Sequence, residues 1–132
     1  MSTQEGRRIG LRPHFEAMNM DLPELVQALR DILGAKLVAY IGAVQETRAV
    51  RQWADDVRRP SQTVENRLRE TYQIAQTLRE RDAAVVVQAW FQGMNPFLDD
   101  QAPAKVLRES ETDDSARLVL AAAKAFSSSN VA

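Results

Sequence analysis

The sequence predicts an all-α protein, and three observations carry that expectation. Apolar residues recur at spacings of three and four along several stretches, the period of one buried helical face. Residues that start and stop helices bracket those stretches: acids, serine or proline before, glycine after. Nothing alternates with period two for long enough to build a strand. With 132 residues, 45% of them hydrophobic and 27% charged, the chain has the size and balance of one globular domain.

Residues 1–20 read as a flexible tail: polar, arginine-containing, broken by Gly6, Gly10 and Pro13. From Asp21 the pattern becomes helical. Asp21 is placed to cap, Glu24 stands three residues on in the capping-box spacing, and Pro23 suits a first turn. Leu22, Leu25, Val26, Leu29, Ile32 and Leu33 then share one face, and Gly34 ends the helix. A short helix is predicted from about Ala35 to Ile41, interrupted at Gly42. Another follows from about position 45 or 46 to Ala54, with Val50 and Trp53 turned inward. Two short helices with a glycine-containing connection, after a longer apolar one, follow helix-turn-helix grammar. Residues 21–60 therefore read as a helix-turn-helix-like amino-terminal bundle, closed by the loop that ends in Arg58, Arg59 and Pro60.

Residues 61–126 read as a second, small helical part. Ser61 can cap a long helix from about 62 to 80, with Val64, Leu68, Ala75 and Leu78 on one side. Asp82 can cap the next, which runs through Val85, Val86, Ala89 and Trp90 to Phe91 and stops at Gly93. Pro103 is placed to begin a short helix through Val106 and Leu107. Asp114 or Ser115 starts the last, which carries Leu118, Val119, Leu120 and Phe126, and residues 127–132 read as a frayed end.

Composition speaks against several function classes. There is no cysteine, hence no disulfide framework or thiol nucleophile, and one histidine, His14, stands without partner ligands near it. The carboxylate pairs Asp55-Asp56, Asp99-Asp100 and Asp113-Asp114 fall at helix ends or in loops, where acids cap amides or face water. No histidine is placed to activate a serine or threonine, and the five glycines are scattered rather than gathered into a phosphate loop. The expectation is a protein without catalytic residues, metal or cofactor. The longest apolar run, residues 37–44, is far short of the ~20 residues of a membrane span, so no membrane partner is expected and the chain is placed in the cytoplasm.

Two segments point to binding instead. With Val50 and Trp53 inward, Thr47, Arg48, Arg51 and Gln52 occupy the outer arc of their helix, Gln45 precedes it, and Arg58 and Arg59 follow in a loop that can reach phosphate. Arginine pairs with guanine and glutamine with adenine in the major groove. From Gln45 to Arg69 six arginines face four acids, against a formal charge of −1 for the whole chain. The second segment is Trp90-Phe91-Gln92-Gly93-Met94-Asn95-Pro96-Phe97-Leu98, an apolar turn where a polar one is the norm. Aromatics in such a turn either fill the core or meet a partner, and both roles stay open for different residues.

That second segment, followed by Pro103 and Leu107, resembles the carboxy-terminal toxin-binding domain of the Xre/MbcA/ParS antitoxins. The shared pattern is a tryptophan, an Asn-Pro-x-Leu turn, a proline five residues after the leucine, and a leucine four further on. Upstream, Val50 and Trp53 stand three apart, as at the end of that family's recognition helix. The resemblance spans about residues 20–126. Many members carry a glycine two residues after the turn's leucine, where this chain has Asp100. It implies an antitoxin with two activities. The first part represses its own operon by binding operator DNA. The second, through Trp90, Phe91, Met94, Asn95, Pro96, Phe97, Leu98 and Pro103, neutralises a RES-domain toxin that consumes NAD. It also implies a homo-oligomer, commonly a dimer. The alternative from the residues alone is a stand-alone helix-turn-helix regulator without a toxin.

Overall fold

Burial of apolar stripes on several short helices needs a long element to pack against, and here that element is the helix after Ser61. The protein's structure, a computed structural model, describes residues 12–111 and 113–129. Its elements in chain order are α1 (Arg12–Asn19), α2 (Leu22–Leu33), α3 (Ala35–Ile41), α4 (Thr47–Ala54), α5 (Gln62–Arg79), α6 (Ala84–Gln92), a 3-10 helix (Pro96–Leu98), α7 (Pro103–Arg108) and α8 (Asp113–Ser129). The protein is all-α. Among the described residues the one extended pairing is an isolated bridge between Asn95 and Gln101. No helix is long and apolar enough to cross a membrane among these residues.

Helix α5 is the axis, with α1, α2, α6 and α8 packed on it. Leu68, Thr71, Tyr72, Ile74, Ala75, Thr77 and Leu78 are buried, more than one stripe, because neighbours cover α5 from several directions. The Ser61 hydroxyl accepts from the Val64 amide at 3.2 Å, the cap expected there. Thr71 and Thr77 satisfy their buried hydroxyls by donating to the carbonyls of Arg67 and Gln73, four residues back. Buried residues from both predicted parts, Leu29, Val50 and Trp53 together with Leu78, Phe91, Leu107 and Val119, belong to one core. The boundary at residue 60 is thus a connection between helices and not a gap between two cores.

Several local expectations need correction. Residues 12–19 are helical rather than part of a tail, and Ala17 is buried against the core. The sequence hides this helix because its buried face consists only of Pro13 and Ala17, one step of four. Polar contacts from α5 hold it: Arg69 Nη1 donates to Ala17 O at 2.9 Å and Met20 O at 2.7 Å, and the Tyr72 hydroxyl donates to Glu16 at 3.1 Å. Residues 1–11 lie outside the described residues. Asp21 occupies the cap position of α2 with extended backbone, yet its side chain makes no cap bond. Ala83, not Asp82, caps α6, since the first-turn amides of Val86 and Val87 donate to the Ala83 carbonyl at 3.0 and 3.1 Å. Helix α8 begins at Asp113 and continues through 127–129, with Ser127 buried, so the frayed end is shorter than predicted; residues 130–132 are outside the described range.

A carboxylate secures the junction of the 55–61 loop with α5 and α1. Glu65 accepts from Arg59 at 3.0 Å and from Arg69 at 3.0 Å, and Arg69 in turn holds the end of α1. Burial works against the Glu65 charge, but Arg69 and Arg59 together outweigh it and lower its pKa below the usual 4.5. A lowered folded-state pKa gives stability that is present above the unfolded value and lost as pH falls through the folded one. Glu65→Gln is therefore expected to lower stability by about 1–2 kcal/mol at pH 7. In urea titrations at several pH values, native and variant should converge as pH falls below the ordinary carboxylate range and through the lowered Glu65 pKa.

Candidate functional site

The first candidate surface is the pair α3 and α4 with the connection between them. Gly42 caps α3, its amide donating to Val38 O at 2.9 Å. A Cβ at position 42 would stand 3.1 Å from two ring carbons of Trp53 and 3.2 Å from Val38 O. Glycine thus lets the connection lie directly on the buried indole. Ala43 follows with φ +60°, and Val44 N returns to Ala39 O at 3.0 Å, which turns the chain sharply into α4.

On α4, Val50 and Trp53 are buried, as the spacing predicts, and Ala49 and Ala54 are buried with them. Thr47, Arg48 and Arg51 are exposed on the other side, with Gln45 exposed just ahead of the helix. Neither Arg48 nor Arg51 enters an ion pair among the described residues. Gln52 is half-buried, and its carbonyl accepts from Val57 and Arg58, which folds the following loop back on the helix. Arg58 is exposed, whereas Arg59 is held by Glu65 and is not a free cation.

Three cations that the sequence reading missed flank this surface. Lys36 of α3 and Arg108 of α7 line a groove with Thr47 and Arg48, and Lys36, Thr47 and Lys105 of α7 line an adjoining one. Arg108 Nη1 donates to Tyr40 O at 2.7 Å, and its guanidinium lies over the Tyr40 ring, 4.7 Å from the centroid. The signal available in the sequence was slight: Lys105 and Arg108 three apart on a short helix, far from α4 in the chain.

The second candidate surface is the turn from Gly93 to Gln101, whose residues divide by burial. Asn95 is buried; its Oδ1 accepts from Phe97 N at 2.9 Å, its amide donates to Gln101 O, and its carbonyl accepts from Leu98 and Asp100. Leu98 and Pro103 are buried below it. Trp90 meets Phe91 edge-on at 5.3 Å and Phe126 of α8 at 6.4 Å, and both Trp90 and Phe91 are buried. Trp90, Phe91, Asn95, Leu98 and Pro103 are therefore buried and shape the turn from within, the core role of the two that the sequence leaves open. Pro96 is exposed, and Met94 and Phe97 stand out into solvent with 82% and 70% of their area accessible. Asp99 and Asp100 both take positive φ, +55° and +63°, to close the turn.

A third feature links acids far apart in sequence. Glu70 of α5 hydrogen-bonds Asp113 of α8 in a cleft of about 440 Å³ that His14, Arg69 and Arg117 also line. Burial, then the Asp113 hydrogen bond and charge, raise the Glu70 pKa to about 7. His14 Nδ1 stands 3.4 Å from Gln73 Oε1. Among the described residues no group of three or more acids and histidines converges to hold a metal. Two of the three acid pairs noted in sequence lie at turns: Asp55 follows α4, and Asp56, Asp99 and Asp100 take left-handed backbone, while Asp113 and Asp114 stand in the first turn of α8.

Comparison of the chain with family models, with curated proteins and with solved structures found no match.

The division within the turn is testable by stability. Leu98→Ala is expected to cost about 2–4 kcal/mol and Asn95→Ala about 1 kcal/mol, whereas Phe97→Ala should stay within about 0.5 kcal/mol of native. Chemical denaturation of the three variants checks the order.

Proposed function

We propose that this chain is an antitoxin that represses its own operon through α3 and α4 and neutralises a RES-domain, NAD-consuming toxin through the turn after α6. The observation that carries the reading is the construction of that turn. Single exposed apolar side chains are ordinary, and Phe15, Val57 and Val85 are others on this chain; what distinguishes Met94 and Phe97 is that both stand on one built turn. Here buried Trp90, Asn95 and Leu98 form a rigid base, and Met94 and Phe97 project from it. Apolar anchors at the centre of a patch are what partner binding uses.

The same turn carries the Asn-Pro-x-Leu pattern of the Xre/MbcA/ParS antitoxins, and burial gives the pattern a physical reading. The motif's Trp90, Asn95, Leu98 and Pro103 build the turn, while Phe97 at the variable position and Met94 before it make contact. Asp100 adds support. Its φ of +63° is a conformation that glycine adopts without strain, and aspartate is among the residues that tolerate it. That is the position where many members of the family carry glycine.

In the mechanism that follows, Met94 and Phe97 seat against the toxin around its NAD pocket and exclude the dinucleotide. This chain makes and breaks no bond. Helices α3 and α4 act as the helix-turn-helix, with Thr47, Arg48 and Arg51 toward base edges in the major groove. Gln45 and Arg58 reach the flanking backbone, Gln52 sits at the rim, and Arg59 serves the fold through Glu65. Association of two copies doubles the cations offered to a two-fold operator.

Two double variants separate the activities. Arg48→Ala with Arg51→Ala is expected to abolish the mobility shift of the DNA upstream of the gene while leaving neutralisation of the adjacent toxin intact. Met94→Asp with Phe97→Asp is expected to do the reverse, restoring NAD loss and growth arrest on co-expression. A folded variant of either kind that loses both activities contradicts this division of labour.

A further inference from the structure

We infer that the DNA-contacting surface extends beyond α4 onto α7, and that the groove between α3, α4 and α7 holds a stretch of phosphodiester backbone. The inference rests on the DNA-binding reading and adds to it a set of residues from the other half of the chain. Two adjoining stretches of the groove share Lys36, Tyr40 and Thr47, and together they run from Arg48 to Lys105. Four cations line it: Lys36, Arg48, Lys105 and Arg108. Glu46 is its single acid among the described residues. In a chain of net charge −1, this is a local concentration of positive charge rather than a reflection of overall composition.

The chemistry fits a polyanion that passes through. Lys36, Arg48 and Lys105 are exposed and enter no ion pair among the described residues. Arg108 is already fixed by the Tyr40 carbonyl and ring, so little side-chain freedom remains to be lost when it meets an anion. The Tyr40 and Thr47 hydroxyls add neutral donors of the kind that accompany lysine and arginine at phosphates. The groove takes in Thr47 and Arg48 from the exposed arc of α4, so a duplex read by Arg48 and Arg51 brings its backbone to Lys36 and Lys105.

The test is a titration of the full chain against two labelled 30-base-pair duplexes, one from the DNA directly upstream of the gene and one unrelated, across 50–200 mM NaCl. Lys36→Gln with Lys105→Gln should weaken binding to both duplexes by a similar factor, about tenfold or more. The slope of log affinity against log salt should become shallower by about 2. Glu46→Gln, which removes the groove's acid, should tighten binding to both, a gain that misfolding cannot produce. If the native chain binds the duplexes and Arg48→Ala with Arg51→Ala abolishes it, but the lysine variant keeps native affinity and slope, the inference is overturned and the DNA-binding reading stands. If the native chain binds neither duplex, both are overturned.

Discussion

Half-buried on α5, the guanidinium of Arg67 ties together carbonyls from distant parts of the chain. It donates to Ile41 O at the end of α3, at 3.3 Å, and to Ser110 O after α7, at 2.9 Å. Arg108 of α7 takes the neighbouring carbonyl, Tyr40 O. The last carbonyls of α3, which have no partner within the helix, thus receive cations from two other elements, at the end where the helix dipole favours positive charge. Burial pushes the Arg67 guanidinium below its ordinary pKa, and the nearby Arg108 charge adds to this. A half-buried charge is stabilised by such hydrogen bonds, and tilting α3 away from α5 breaks the one to Ile41 O.

This constraint makes one body of what the sequence presents as two parts. Trp53 and Val50 of α4 share a core with Phe91 of α6 and Leu107 of α7. The exposed arc of α4 and the projecting Met94 and Phe97 are therefore fixed in relation to each other. Helix α7 lies between them: Pro103 packs beneath the turn, while Lys105 and Arg108 border the groove beside α4. Under the proposed function this rigidity would serve binding, because flexible surfaces lose binding free energy to ordering.

Most of the helices were legible because their signals are local. Gly34 with φ +86° ends α2, Gly42 ends α3, Ser61 caps α5 and Pro103 opens α7, each as its residue type predicts. What escaped depends on contacts between distant residues. Helix α1 is held by Arg69 and Tyr72, over fifty residues away, and its own two buried positions give no period to read. Within the candidate site, the outward arc of Thr47, Arg48 and Arg51 followed from the inward Val50 and Trp53. The split of the apolar turn did not, because burial of Leu98 beside exposed Phe97 is set by the Asn95 hydrogen bonds and by α8 beneath. Lys36, Lys105 and Arg108 were invisible for the same reason: only folding brings α7 to α3. Glu70 and Asp113 meet only when α8 packs on α5.

The central claim is that the turn carrying Met94 and Phe97 covers an NAD-consuming enzyme. It is tested most directly by capturing the tagged chain at native expression and identifying what is bound by mass spectrometry. The account predicts a stoichiometric RES-domain protein that turns over NAD only once this chain is removed. Recovery of this chain alone, or with a bound enzyme whose NAD turnover is the same before and after its removal, would contradict it.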